Sequence, residues 1–144
     1  MTQRIQSRTM ISTELQSSMR WGSPLETAKA AMILLHGRGG DAADMRALAR
    51  LFESPGFAFI APEAPGNTWY PFPFTAPLAQ NEPYLSRSLD RVGRLLSELA
   101  DAALAPGKLL LLGFSQGACL ALEFSARNLD CCSGVVGLSG GLIG

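Results

Sequence analysis

Four short apolar runs punctuate the chain: Ala30 to Leu35, Phe57 to Ala61, Leu109 to Leu112 and Gly134 to Leu138. They lack polar alternation, as expected of strands covered on both faces. Each runs into a breaker: His36-Gly37-Arg38-Gly39-Gly40, Pro62, Gly113-Phe114-Ser115-Gln116-Gly117 and Ser139-Gly140-Gly141. Between the runs the spacing becomes helical. Asp41 predicts the cap of a helix through Glu53, with Met45, Leu48, Leu51 and Phe52 on one face and Asp44 one turn along. Pro83 opens a second helix to about Leu104. Leu85, Leu89, Val92, Leu96, Leu99 and Ala103 form its buried stripe, while Arg87, Arg91, Arg94, Glu98 and Asp101 face water. A third helix follows Ser115 and stops near Asn128, packing through Cys119, Leu120, Leu122 and Phe124. Ahead of all these, Ile5 to Ile11 and Leu15 to Trp21 read as an antiparallel hairpin at the sheet edge, ended by Trp21-Gly22-Ser23-Pro24.

Strands alternating with helices imply right-handed crossovers and an α/β fold, a mostly parallel sheet with helices on both faces. Functional loops then gather at the carboxyl ends of the strands, which brings the turns at 37–40 and 113–117 together. The stretch from Glu63 to Glu82 has no regular period. It carries Pro65, Pro71, Pro73 and Pro77 with Trp69, Tyr70, Phe72 and Phe74, too aromatic for disorder, and reads as a lid or pocket wall.

The candidate chemistry lies at Ser115. A serine hydroxyl is a poor nucleophile unless it stands clear of the sheet within reach of a base, and a sharp turn from strand to helix provides that position. Glycines two residues before and after leave room for the turn. The helix start aims free N–H groups, that of Gln116 among them, at an oxygen that becomes negative during acyl transfer. Gly137-Leu138-Ser139-Gly140-Gly141 matches the same pattern, but the residues after it have little capacity to form a helix, so Ser139 reads as a loop residue at a strand end.

Bulk properties narrow the classes. At 144 residues and 47% hydrophobic content the chain is about one domain with enough apolar surface for a core. Lys+Arg and Asp+Glu balance at 12 each, which argues against nucleic acid or an anionic membrane as main partner. No apolar run is long enough to span a membrane, and the polar first 18 residues lack a signal-peptide core, so a cytoplasmic protein is expected. Cys119 reads as a small core residue, and adjacent Cys131-Cys132 fit neither a zinc site nor a redox motif. All three are expected to be thiols, and no metal or cofactor is expected. The oligomeric state stays open, a homodimer included.

Three stretches in order, Leu35-His36-Gly37-Arg38-Gly39-Gly40, Ala61-Pro62 through Gly66 to Trp69-Tyr70-Pro71, and Gly113-Phe114-Ser115-Gln116-Gly117, resemble the phospholipase/carboxylesterase family of α/β-hydrolases, which includes the acyl-protein thioesterases. The resemblance runs from about residue 28 to 144. It implies the α/β-hydrolase fold and a serine hydrolase of small to medium carboxylic esters or thioesters. Ser115 would be the nucleophile, and the backbone N–H groups of Arg38 and Gln116 the oxyanion hole. Trp69 and Tyr70 would lie near the acyl pocket, while His36, with Gly37 and Gly39, braces the loop rather than acting as base. The family places its catalytic Asp and His after the last two strands, and this sequence stops at Ile143-Gly144. The expectation is therefore that residues 1–144 are the N-terminal two-thirds of one α/β-hydrolase domain, with those strands missing. Two other classes compete: a catalytically inactive binding module that keeps the pocket, and nucleotide binding through 37–40, which matches neither G-x-G-x-x-G nor a P-loop.

Overall fold

The computed structural model describes residues 13–143. Its elements in chain order are α1 (Glu14–Ser17), β1 (Met19–Gly22), β2 (Ala30–Leu35), α2 (Ala42–Ala49), β3 (Phe57–Ala61), α3 (Tyr84–Asp101), β4 (Leu109–Phe114), α4 (Gln116–Arg127) and β5 (Gly134–Leu138). The strands form one sheet in the order β1-β3-β2-β4-β5, parallel except for β1, which runs antiparallel to β3.

Period two along each strand divides the core. Ala31, Ile33 and Leu35 of β2 join the larger cluster with α3 and α4, while Met32 and Leu34 join a smaller one with Met45 and Ala49 of α2. Helices therefore cover both faces, as the alternation of elements predicts. Leu85, Leu89, Val92, Leu96 and Leu99 form the buried stripe of α3, and Leu95 is buried beside them. Burying a side chain of this size stabilises the fold by roughly 1.5–3 kcal/mol before entropic costs, so the five expected leucine and valine positions anchor the helix against the sheet.

Several boundaries differ from expectation. Helix α2 ends at Ala49 rather than Glu53, leaving Leu51 82% and Phe52 36% exposed. Asp41 does cap it, and Asp44 completes a reciprocal capping box (Asp44 N to Asp41 Oδ1, 2.9 Å; Asp41 N to Asp44 Oδ2, 3.1 Å). Helix α3 ends at Asp101 because Ala103 turns into the left-handed region at φ 70; Ala103 is exposed and Leu104 is buried in its place. The expected hairpin partner at 5–11 lies outside the described residues. Residues 15–21 are not one strand: α1 takes the first part, capped by Thr13, and β1 pairs with β3, Met19 opposite Ala61.

Side chains expected to face water are held, Arg94 among them at 3.1 Å from Glu14. Arg91 pairs with Glu14 at 3.1 Å, donates to the Glu63 carbonyl at 2.9 Å and lies 5.5 Å over the Trp69 ring. Glu98 accepts the N–H groups of Glu14 and Leu15 at 3.2 and 3.0 Å. Register then sets up the site. Leu35 lies opposite Gly113, and Phe114 opposite Leu138, so three strands end level with one another.

Candidate active site at the carboxyl ends of the central strands

Ser115 is the single residue between β4 and α4, at φ 55 and ψ −113. That backbone conformation costs a non-glycine residue about 1–3 kcal/mol, so the surroundings must impose it. They do so by close packing. A methyl group on Gly113 would stand 2.1 Å from the Gly117 carbonyl oxygen, and one on Gly117 would stand 2.0 Å from the Leu35 carbonyl oxygen. Only glycine fits where α4 begins against the end of β2. The Ser115 N–H donates to the Leu138 carbonyl at 2.8 Å, which fixes the turn from the β5 side.

The Ser115 side chain is exposed and does not cap α4, although it occupies the cap position. Its hydroxyl makes no hydrogen bond among the described residues. The Gln116 N–H, first of the helix, has no acceptor there either, as helix geometry requires of an N-terminal donor. The loop at 36–40 lies directly alongside: a methyl on Gly37 would sit 3.3 Å from the Phe114 carbonyl oxygen and 3.4 Å from Ser115 Cβ. The backbone N–H of Arg38 is likewise unbonded among the described residues.

His36 is fully buried, with Nδ1 2.7 Å from the Gly37 carbonyl and Nε2 3.0 Å from the Ala64 N–H. The first contact needs a proton on Nδ1 and the second a lone pair on Nε2, which assigns the tautomer. Both nitrogens are used, and neither reaches Ser115. The ring also stacks on Trp69 at 4.9 Å. His36 thus ties the loop at 36–40 to the Ala64 N–H and the Trp69 ring.

Trp69 and Tyr70 are 2% and 1% exposed, and their backbone groups engage the Gln116 side chain. The Trp69 N–H donates to Gln116 Oε1 at 2.8 Å, and Gln116 Nε2 donates to the Tyr70 carbonyl at 2.7 Å. Trp69 Nε1 donates to the His36 carbonyl at 2.8 Å. The segment at 62–70 is thus a bracket that joins both turns. Burial, with Cys119 beside it, pushes the Tyr70 phenol well above its ordinary range. The two aromatic residues line a cleft of about 480 Å³ with Tyr84, Arg87 and Arg91. A different hollow, about 460 Å³, opens beside the 36–40 loop and is lined by Arg38, Met45, Leu48 and Phe114. A larger groove, about 950 Å³ between α3 and α4, shares no lining residue with either turn.

The second half of the irregular segment is different. Residues 71–75 are all exposed, Phe72 at 49% and Phe74 at 38%. Arg38 Nη1 and Nη2 hold it through the Pro71 and Phe72 carbonyls at 2.9 and 3.2 Å, and buried Asn81 accepts the Phe72 N–H at 2.7 Å. Spacing along the chain does not indicate the side-chain roles of Arg38, Gln116 and Asn81, or of Asn67, whose Nδ2 donates to the Gly40 carbonyl at 2.7 Å. Of these only Asn67 carried a local signal, since Gly66-Asn67 is a dipeptide suited to left-handed backbone.

Residues 20–144 match the model of the phospholipase/carboxylesterase family. The chain belongs to that family. An acyl-protein thioesterase 1 from Yarrowia lipolytica is 30% identical over an alignment covering 77% of this chain and 56% of the relative. A phospholipase/carboxylesterase from Dyadobacter fermentans superposes with a TM-score of 0.86 at 40% identity, covering 93% of this chain and 64% of the other. Acyl-protein thioesterase 2 from Zea mays gives 0.66 at 25% identity, covering 88% and 62%. The chain thus spans a little over half to just under two-thirds of these family members' lengths. No three His, Cys, Asp or Glu side chains group as a metal site among the described residues, and no described helix is long and apolar enough to cross a membrane.

Proposed function

We propose that the protein is a serine hydrolase that cleaves carboxylic esters or thioesters of small to medium acyl groups through an acyl-enzyme on Ser115. One observation carries this reading: an exposed, unbonded hydroxyl in a strained turn, flanked by unbonded N–H groups from two touching loops. Membership of a carboxylesterase family supports it, and the names of the Yarrowia lipolytica and Zea mays relatives bring thioesters within the substrate class.

In this reading Ser115 Oγ attacks the carbonyl carbon while its proton passes to a base. The carbonyl oxygen, now negative, takes hydrogen bonds from the Arg38 and Gln116 N–H groups. The tetrahedral intermediate collapses, the alcohol or thiol leaves with the proton, and water repeats the sequence on the acyl-enzyme to release the acid. The hollow lined by Met45, Leu48 and Phe114 is the acyl site we favour, while Trp69 and Tyr70 line the separate cleft with Tyr84, Arg87 and Arg91. The single histidine of the 144 residues is used up by its two hydrogen bonds. His36 is therefore not assigned as the base. Three free thiols make the cytoplasm the compartment we favour.

Turnover of p-nitrophenyl butyrate and of an acyl-thioester by the longest natural form that carries this sequence tests the reading. Loss of turnover in Ser115→Ala supports it; equal turnover in both overturns it. The locked histidine favours one second reading, a pocket that binds acyl groups without cleaving them. Saturable binding of the ester with no Ser115-dependent product would select that alternative.

A further inference from the structure

Asn67 touches the tip of the 36–40 loop twice. Its carbonyl accepts the Gly39 N–H at 2.8 Å, and its side-chain Nδ2 donates to the Gly40 carbonyl at 2.7 Å. Its own backbone is left-handed, φ 60, and its N–H closes a short turn onto the Ala64 carbonyl at 2.9 Å. Asparagine tolerates that conformation better than most residues. The tip's other hydrogen bond is internal, from the Gly40 N–H to the Gly37 carbonyl at 3.0 Å, and Gly39, at φ 76, faces open space where a side chain would stand. Hydrogen bonds rather than packing therefore set the attitude of this turn, and Asn67 supplies the two that come from outside it.

We infer that Asn67 is a positioning residue: it holds the Gly39–Gly40 turn so that the Arg38 N–H faces the oxygen that becomes negative over Ser115. The inference rests on the proposed hydrolase reading. The chemistry separates its two bonds. Glycine at 67 keeps the left-handed backbone and the carbonyl acceptor but removes the donor. Aspartate keeps the shape and places a carboxylate oxygen against the Gly40 carbonyl oxygen, replacing attraction with repulsion.

The test uses the longest natural form, with rates expressed per site titrated by a fluorophosphonate, so that misfolded protein does not count. Asn67→Gly is expected to lower kcat about 10-fold and Asn67→Asp about 100-fold, the scale of loss for a misplaced catalytic group. KM should stay within about twofold, because the bond acts on the transition state rather than the bound ester. Inhibition by an alkylboronic acid, which forms a tetrahedral adduct on a serine oxygen, should weaken in step with kcat. Wild-type kcat and boronate affinity per titrated site in Asn67→Asp overturn the inference, as does a loss confined to melting temperature. Turnover that survives Ser115→Ala is a separate result: it defeats the hydrolase reading, and this inference with it.

Discussion

The chain carries Gly-X-Ser-X-Gly twice, at 113–117 and 137–141, and the two copies lie side by side, joined by the Ser115 N–H to the Leu138 carbonyl. Both follow a parallel strand, and both serines take a positive φ, 55 and 60. The difference lies in what comes next. After the first, α4 starts at once, buries Ala118, Leu120 and Phe124, and leaves the Gln116 N–H free. After the second, Gly140 to Ile143 form no helix, and no row of N–H groups faces Ser139. The pentapeptide makes a turn; only a helix behind it makes an anion-stabilising one.

The largest expected effect follows from that contrast. In the longest natural form, Ser115→Ala should lower ester turnover by about 10⁴-fold or more, the scale seen when a hydrolase loses its nucleophile. Ser139→Ala should leave turnover within about twofold, being outside any charge-stabilising geometry. Comparable losses at both would erase the distinction.

Stability comes next. Gly117→Ala drives a methyl into the Leu35 backbone, so we expect a loss of about 3 kcal/mol or more, read as a lower midpoint in urea. Gly137, the second copy's counterpart of Gly113, is less tightly enclosed: a methyl there meets Leu122 Cδ1 at 2.8 Å, the end of a side chain that can rotate. Gly137→Ala should cost about 1 kcal/mol. Gln116→Ala sharpens the point from another side. It strips a partner from the Trp69 N–H and the Tyr70 carbonyl, and each buried group left unpaired costs about 1–3 kcal/mol. Beyond Ser139 the comparable tethers are single bonds, the Gly141 N–H to Cys119 Sγ at 3.5 Å and the Ile143 N–H to Glu123 Oε1 at 3.0 Å.

The smallest effect belongs to the loop that enters the second copy's strand. Burial, with the Cys132 sulfur 3.4 Å away, pushes the Cys131 thiol up to about 11. A raised folded value means that this thiol's share of stability is complete below the ordinary thiol value and fades as pH rises towards 11. At pH 8 iodoacetamide should alkylate Cys131 more slowly in the native chain than in urea. Equal rates would contradict the assigned burial.

Much of this architecture was legible from hydrophobic pattern alone. Ala30 to Leu35, Phe57 to Ala61 and Gly134 to Leu138 are strands with the expected bounds, because a continuous apolar run has few other places to go. The stripe of α3 was legible for the same reason. Helix ends were not: Leu51 and Phe52 continue the apolar pattern of α2, yet the chain leaves the helix before them and exposes both. The two glycine turns were visible, since close backbone approach admits little else. The bracket at 62–70 was invisible as a bracket. It has no period, and its bonds run from side chains such as Gln116 and Asn67 to distant backbone groups, a pairing that spacing along the chain does not encode. Trp69 and Tyr70 likewise announced themselves by composition, while their almost complete burial depended on tertiary contacts with His36 and α3.

The central claim, that one turn of backbone makes Ser115 the reactive group, is tested most directly by covalent labelling. The longest natural form is treated with a fluorophosphonate, digested, and the modified residue located by mass spectrometry. The account predicts a single phosphonylated site, on Ser115, that vanishes in Ser115→Ala and is absent from Ser139. Modification of Ser139 or of another serine with Ser115 untouched would contradict it.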